Sequence, residues 1–186
     1  MTSIDPRWRR ESGAPPTNVA RPPVAASASL ARRLAAVGYE ALLASALVVV
    51  VGFLTAPLAS TGTGRRLLEV PDLPARTFLF CIVCAAVALY FVWSWTGGRR
   101  TLAMKTWRMA LVRVDAGEVD MKTAIVRFVA AWIGPVAALA AYVAFEPSGH
   151  GAQAAWLLAL NYAWAFVDPQ RQFLHDRIAG TRLIIG

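Results

Sequence analysis

Charge is scarce in this chain, and its distribution matters more than its amount. Asp, Glu, Lys and Arg make up 16% of the 186 residues, against 57% hydrophobic ones, a greasier balance than an ordinary soluble domain carries. Ala41 to Gly64, Thr77 to Gly98, Phe128 to Phe145 and Gly151 to Val167 hold no formally charged side chain. A charge in hydrocarbon costs roughly 2.5 to 3.5 kcal/mol on insertion scales, so uncharged runs near 20 residues are the expected trace of bilayer burial. A soluble bundle is disfavoured, because helices that are apolar all round keep no face for water. Other absences narrow the chemistry. HExxH, GxGxxG and GxxxxGK do not occur, and no zinc, dinucleotide or phosphate cradle is expected without them. Cysteine is limited to Cys81 and Cys84. Their CIVC spacing lies inside an apolar run with no nearby His, where two thiols serve as small apolar side chains rather than a redox or metal pair. The expectation is a protein without cofactor or metal, and not an enzyme.

The four uncharged runs predict an all-α, polytopic transmembrane protein with spans over about 34–59, 77–96, 128–145 and 151–167. The last two are short, about 25 to 27 Å as α-helix against a core of roughly 30 Å. They either cross a thinned region, giving four spans, or pair as a re-entrant element, leaving three as the alternative. The net charge of +8 does not require nucleic acid. Six of the 19 Lys and Arg lie in the amino-terminal arm through Arg33, three between Ser60 and Arg76, seven between Gly97 and Arg127, and three beyond Asp168. With four spans, 16 of the 19 fall on one side, the positive-inside pattern, which puts both termini in the cytoplasm. That basic face also suits anionic lipid headgroups.

Residues 1–29, with Pro15, Pro16, Pro22 and Pro23 and no apolar stretch, read as a disordered cytoplasmic arm rather than a cleaved signal, leaving 30–186 as the membrane domain. The segment from Thr101 to Val114 mixes Leu102, Met104, Trp107 and Met109 with Lys105, Arg108 and Arg113. That composition fits a cytoplasmic amphipathic loop lying on the membrane surface. Alternatively, its VRVD end pairs with the far side of DAGEVD as a small hairpin. Gly134-Pro135 should kink the third segment or admit a close neighbour. Trp93, Trp95, Trp132, Trp156 and Trp164 sit in or near the ends of the runs, as interfacial anchors do.

Among polar residues Glu40 stands out, an acid opening a charge-free span, and Arg33 lies seven positions earlier on nearly the same helical face. Together they form either a cation or proton site or a buried polar pair that fixes packing. Arg99, Arg100 and Arg127 stand at span ends as anchors. Asn161 either bonds across helices or lines a polar path. In the tail, Asp176 beside Arg171 and Arg177 suggests an ion-paired clamp on the membrane surface, or a role in admitting ions. His175 and Asp176 are adjacent and so do not share a helix face, which makes them weak catalytic partners.

These residues resemble the RDD family of membrane proteins, named for one arginine and two aspartates. Arg33, Leu34, Ala36 and Glu40 match its amino-terminal R-L-x-A and early acid. Thr101, Ala103, Met104 and Lys105, then Arg113-Val114, approach its middle stretch, and Arg127 corresponds to its later arginine. His175, Asp176, Ala179, Gly180 and Thr181 match its HD-x-x-A-G-T motif. Glu40 replaces the expected aspartate and Ala103 a glycine. The likeness runs from about Leu30 to Ile185. It implies a multi-pass protein of the bacterial cell (inner) membrane and permits sodium/proton exchange or other transport.

Two functions follow. The first is a small transport protein or subunit, in the form of a cation/proton exchanger, with Arg33, Glu40 and Asp176 as ion- or proton-coupling residues and Arg127, Asn161, His175, Arg177 and Thr181 in support. A monovalent cation or proton would be the cargo, and a second copy or another membrane protein would complete the path. The second is a non-transporting scaffold or accessory protein whose basic loop and tail bind lipid or another membrane protein.

Overall fold

The computed structural model describes residues 26–60 and 72–186. Residues 1–25 of the proline-rich arm, and Arg65 and Arg66 of the first loop, lie outside the described residues. Helix α1 runs over Leu30–Ser60 and α2 over Leu73–Trp95, the latter capped by Asp72, whose side chain accepts from the Ala75 N–H. Hydroxyls within these helices bond back to the preceding turn, Ser45 to the Ala41 carbonyl and Thr55 to that of Val51. A donor that faces lipid has no better acceptor than its own helix. A short helix α3 (Leu102–Thr106) leads into strand β1 (Met109–Arg113), and α4 (Met121–Ala131) and α5 (Ile133–Phe145) follow with a break at Trp132.

Among the described residues, three helices have the length and composition to cross a membrane: Leu30–Thr55, Leu73–Trp95 and the α4–α5 unit over Met121–Ser148. Their large side chains point outward, Leu42, Phe53 and Leu89 being more than two-thirds exposed, a surface that calls for lipid. The fourth apolar run differs from the expected α-helix. It is a 3₁₀ stretch over Gly151–Ala159, one α turn, α6 (Leu160–Ala163), and a second 3₁₀ turn over Trp164–Phe166. Because a 3₁₀ residue rises about 2.0 Å instead of 1.5 Å, this short run reaches roughly 30 Å, close to a full hydrocarbon core. It packs antiparallel to α5, with Gly151 against Tyr142 and Gly134 against the Leu157 and Leu158 carbonyls.

The tail returns to the end where α1 begins. Helix α7 (Leu174–Ala179) ends at Gly180, whose φ of 63° closes the turn into strand β2 (Thr181–Ile185). Strand β2 pairs antiparallel with β1, Leu111 opposite Leu183. On its other side it meets residues 26–28: Ala28 donates its N–H to the Leu183 carbonyl, and Ile185 donates to that of Ala26. One expectation is corrected here. The VRVD segment pairs with the distant tail rather than with DAGEVD, because Met109, Leu111 and Leu183 alternate onto one buried face. Ala28, just before α1, is buried in the same core. That core, with Ala36, Trp95, Ala103, Met104 and Val119, closes one end of the bundle. Residues 26–29, the 97–120 loop and the 168–186 tail all meet there.

Candidate functional site

The polar centre sits just beneath this cap. Asp120 caps α4 by accepting from the Thr123 N–H, which starts the helix so that Arg127 points inward from its second turn. The Arg127 Nε donates to Asp176 Oδ1 at 2.7 Å, its guanidinium lies 4.1 Å from the Trp95 ring centroid, and its second nitrogen faces His175 Nε2 at 3.4 Å. Asp176 is 0% exposed and also accepts from the Thr181 hydroxyl at 3.2 Å. An isolated carboxylate at such a position would be prohibitive, and breaking a buried pair typically costs about 3 to 5 kcal/mol.

Burial pushes the Asp176 carboxyl upward, but the Arg127 charge, His175 once it is protonated, and the hydrogen bonds from Arg127 and Thr181 outweigh it and hold the group below the ordinary carboxylate range. Burial acts the other way on His175, taking it down to about 4; Asp176 opposes that shift and Arg127 reinforces it. The imidazole is therefore neutral near pH 7. Since Arg127 can only donate, Nε2 is the acceptor and Nδ1 carries the proton.

The expected clamp of Asp176 with Arg171 and Arg177 is therefore replaced by a pair that ties the tail to α4. Arg177 reaches Asp168 at 3.7 Å and Gln170 at 3.2 Å instead. Asp168 Oδ2 in turn accepts from the Gln170 and Gln172 N–H groups, fixing the turn that precedes α7. Arg33 and Glu40 also take separate partners. Arg33 donates to Gln172 Oε1 at 3.5 Å and lies 5.2 Å from the Phe173 ring centroid. Glu40 accepts from the Thr101 hydroxyl at 2.7 Å, and that same oxygen caps α3 by accepting from the Met104 N–H.

These groups share one cavity of about 220 Å³. Arg33, Glu40, Arg127 and His175 contribute its polar wall, and Phe91, Trp95, Phe128, Trp132, Tyr162 and Phe173 its aromatic one. Asn161 lies apart from it, donating to the Ala131 carbonyl at 2.7 Å. Pro135, four residues on, has no N–H to offer that carbonyl. Of the anchors, Arg99 folds back to donate to the Trp93 carbonyl and stacks over the Trp93 ring. Sequence reasoning missed Gln172, Phe173 and Trp95 as site residues. The first two lie in the tail next to a matched motif, but no spacing rule marks them.

No curated protein and no solved structure matches this chain. The family model described as the RDD family does match, over residues 27–180, a span that contains Arg33, Glu40, Thr101, Arg127, His175 and Asp176. The chain belongs to the RDD family of membrane proteins.

Proposed function

We propose that this protein is a small membrane transport protein, not an enzyme, in which Glu40 takes up and releases a proton. The observation that carries the reading is the placement of this acid, the first in the membrane-spanning part of α1, on the wall of a cavity that buried polar groups help to line. Asp176, expected as a coupling residue, is held by Arg127 and Thr181. It is suited to fixing the cavity floor, while Glu40, held by one hydroxyl, is the acid with freedom to exchange. A monovalent cation exchanged against the proton is one companion that such a carboxylate supports. The capped end faces the cytoplasm of a bacterial cell, its inner membrane supplying the lipid, because the arginine-rich loop and tail gather there.

Purified full-length protein in proteoliposomes should carry protons in response to an ion gradient, and Glu40→Gln should abolish that flux. Unchanged flux in the variant would remove Glu40 from the mechanism.

A scaffold role is the second reading, and one observation favours it. Arg33, Arg127 and Asp176 link α1, α4 and the tail into one rigid cap, as a docking platform for a membrane partner requires. It predicts no flux in vesicles, and loss of partner recovery when the 99–127 loop is altered.

A further inference from the structure

The cavity wall holds more free donors than acceptors. Arg33 Nε, Trp95 Nε1 and His175 Nδ1 are buried without a hydrogen-bond partner, and all three residues line the cavity. Each is at least nine-tenths buried. The first two are N–H donors by their chemistry, and the third is a donor because Arg127 occupies the other ring nitrogen. Three unsatisfied donors around one space are costly unless something accepts from them.

A bare cation does not. A hard cation stripped of water takes about six oxygen ligands, and no group of three or more His, Cys, Asp or Glu that could hold a metal ion occurs among the described residues. The rest of the wall is apolar and aromatic. A dry cavity of roughly 150 Å³ holds a benzene molecule, so about 220 Å³ leaves room for a ring-sized body and an acidic head.

Charge supplies the second half of the argument. Arg33 and Arg127 balance Glu40 and Asp176 when both acids are ionised. An entering anion leaves one negative charge in excess, and a proton added from water to the Glu40 carboxylate removes it. The titratable and charged groups around Glu40 are Arg33 on α1, Tyr90 on α2, Arg127 on α4, Tyr162 on α6, and His175 and Asp176 on α7. Asp176 is held ionised by its pair with Arg127. We infer that the cavity binds a small organic carboxylate with an apolar body, together with one proton on Glu40. This rests on reading the cavity as a transport site and names the companion of its proton.

The probe is radiolabelled benzoate, measured by equilibrium binding to the full chain in lipid nanodiscs, with protein-free nanodiscs as the partition control. Saturable binding is expected, tightening as pH falls by at most about tenfold per pH unit, the limit for one linked proton. Trp95→Phe keeps a ring and removes one donor, and should weaken binding roughly tenfold or more. Glu40→Gln should abolish the pH dependence of binding. Size-exclusion elution shows whether each variant is folded. Benzylammonium or sodium chloride displacing the probe would overturn the inference, as would an affinity unmoved in folded Trp95→Phe. Glu40-dependent proton flux in vesicles without benzoate binding would overturn it while leaving the transport reading in place. Benzoate binding without any flux would support the site and overturn transport.

Discussion

At the capped end of the bundle Arg33, Arg127 and Asp176 are buried charges whose partners come from distant segments, whereas at the far end α5 meets the 3₁₀ stretch through Gly134, Ala138, Gly151 and Ala154. The first arrangement removes charges from water and is stable only when each is matched. The second needs no matching, because small residues let two backbones approach until dispersion contacts hold them. A polar atom left without a partner therefore means different things at the two ends. At the capped end, where Arg33 Nε, Trp95 Nε1 and His175 Nδ1 belong to the wall of one cavity, it marks a ligand position. Among the small residues it adds a modest cost to packing.

If this contrast is right, the largest effect comes from breaking the central pair. Asp176→Ala should lower stability by about 3 to 5 kcal/mol, because Arg127 is then buried without its carboxylate. Arg127→Met with Asp176→Leu should recover much of the loss, since an apolar pair of similar volume carries no charge to desolvate. Apparent melting by fluorescence-detected size exclusion measures both, and a double variant as unstable as the sum of the singles would refute the pairing.

A somewhat smaller effect should follow pH. His175 titrates near 4 when folded and near 6.5 when unfolded, so the unfolded chain binds more protons between those values. Stability is then fully present above about pH 6.5 and falls as pH drops toward about 4, by a few kcal/mol in all. Asp176, also depressed, acts in the same direction at still lower pH. His175→Gln should flatten the melting temperature between about pH 6.5 and about 4.5. Identical slopes in the two proteins would show that the imidazole is not the group being titrated.

Much of this was legible in the chain because lipid imposes a simple rule. Uncharged runs marked all four apolar segments, and the short link at 146–150 forced the last two together. The motif residues Arg33, Glu40, Arg127 and Asp176 converge at one end. Their pairing was not readable. Asp176 has two nearby arginines in sequence, Arg171 and Arg177, yet bonds to Arg127, 49 residues away, because helix α7 packs on α4. The same holds for β1, whose partner is set by the tail's return. The 3₁₀ form of residues 151–159 was also hidden, since apolar composition does not distinguish it from an α-helix.

At the far end, Gly134→Ala should cost about 1 to 3 kcal/mol. A Cβ there would stand 3.0 Å from the Leu157 carbonyl oxygen and 3.2 Å from that of Leu158, and backbone atoms cannot swing aside as a side-chain tip can. An unchanged melting temperature would mean that the two segments are not in close contact.

The smallest effect concerns Asn161, which stands where this packing meets the cavity wall at Ala131 and Pro135. Its amide donates to the Ala131 carbonyl that Pro135 leaves open, but its own Oδ1 is buried without a partner. Asn161→Leu thus removes a useful donor and a costly acceptor together, and the net loss should be only about 1 kcal/mol, in the usual range for interhelical hydrogen bonds in membranes. Adding Pro135→Ala supplies an N–H four residues beyond Ala131, the donor that a regular helix would place there. The double variant should therefore be more stable than Asn161→Leu alone. If the second substitution only deepens the loss, the proline is needed for packing, and the role of Asn161 as a substitute for the missing amide falls.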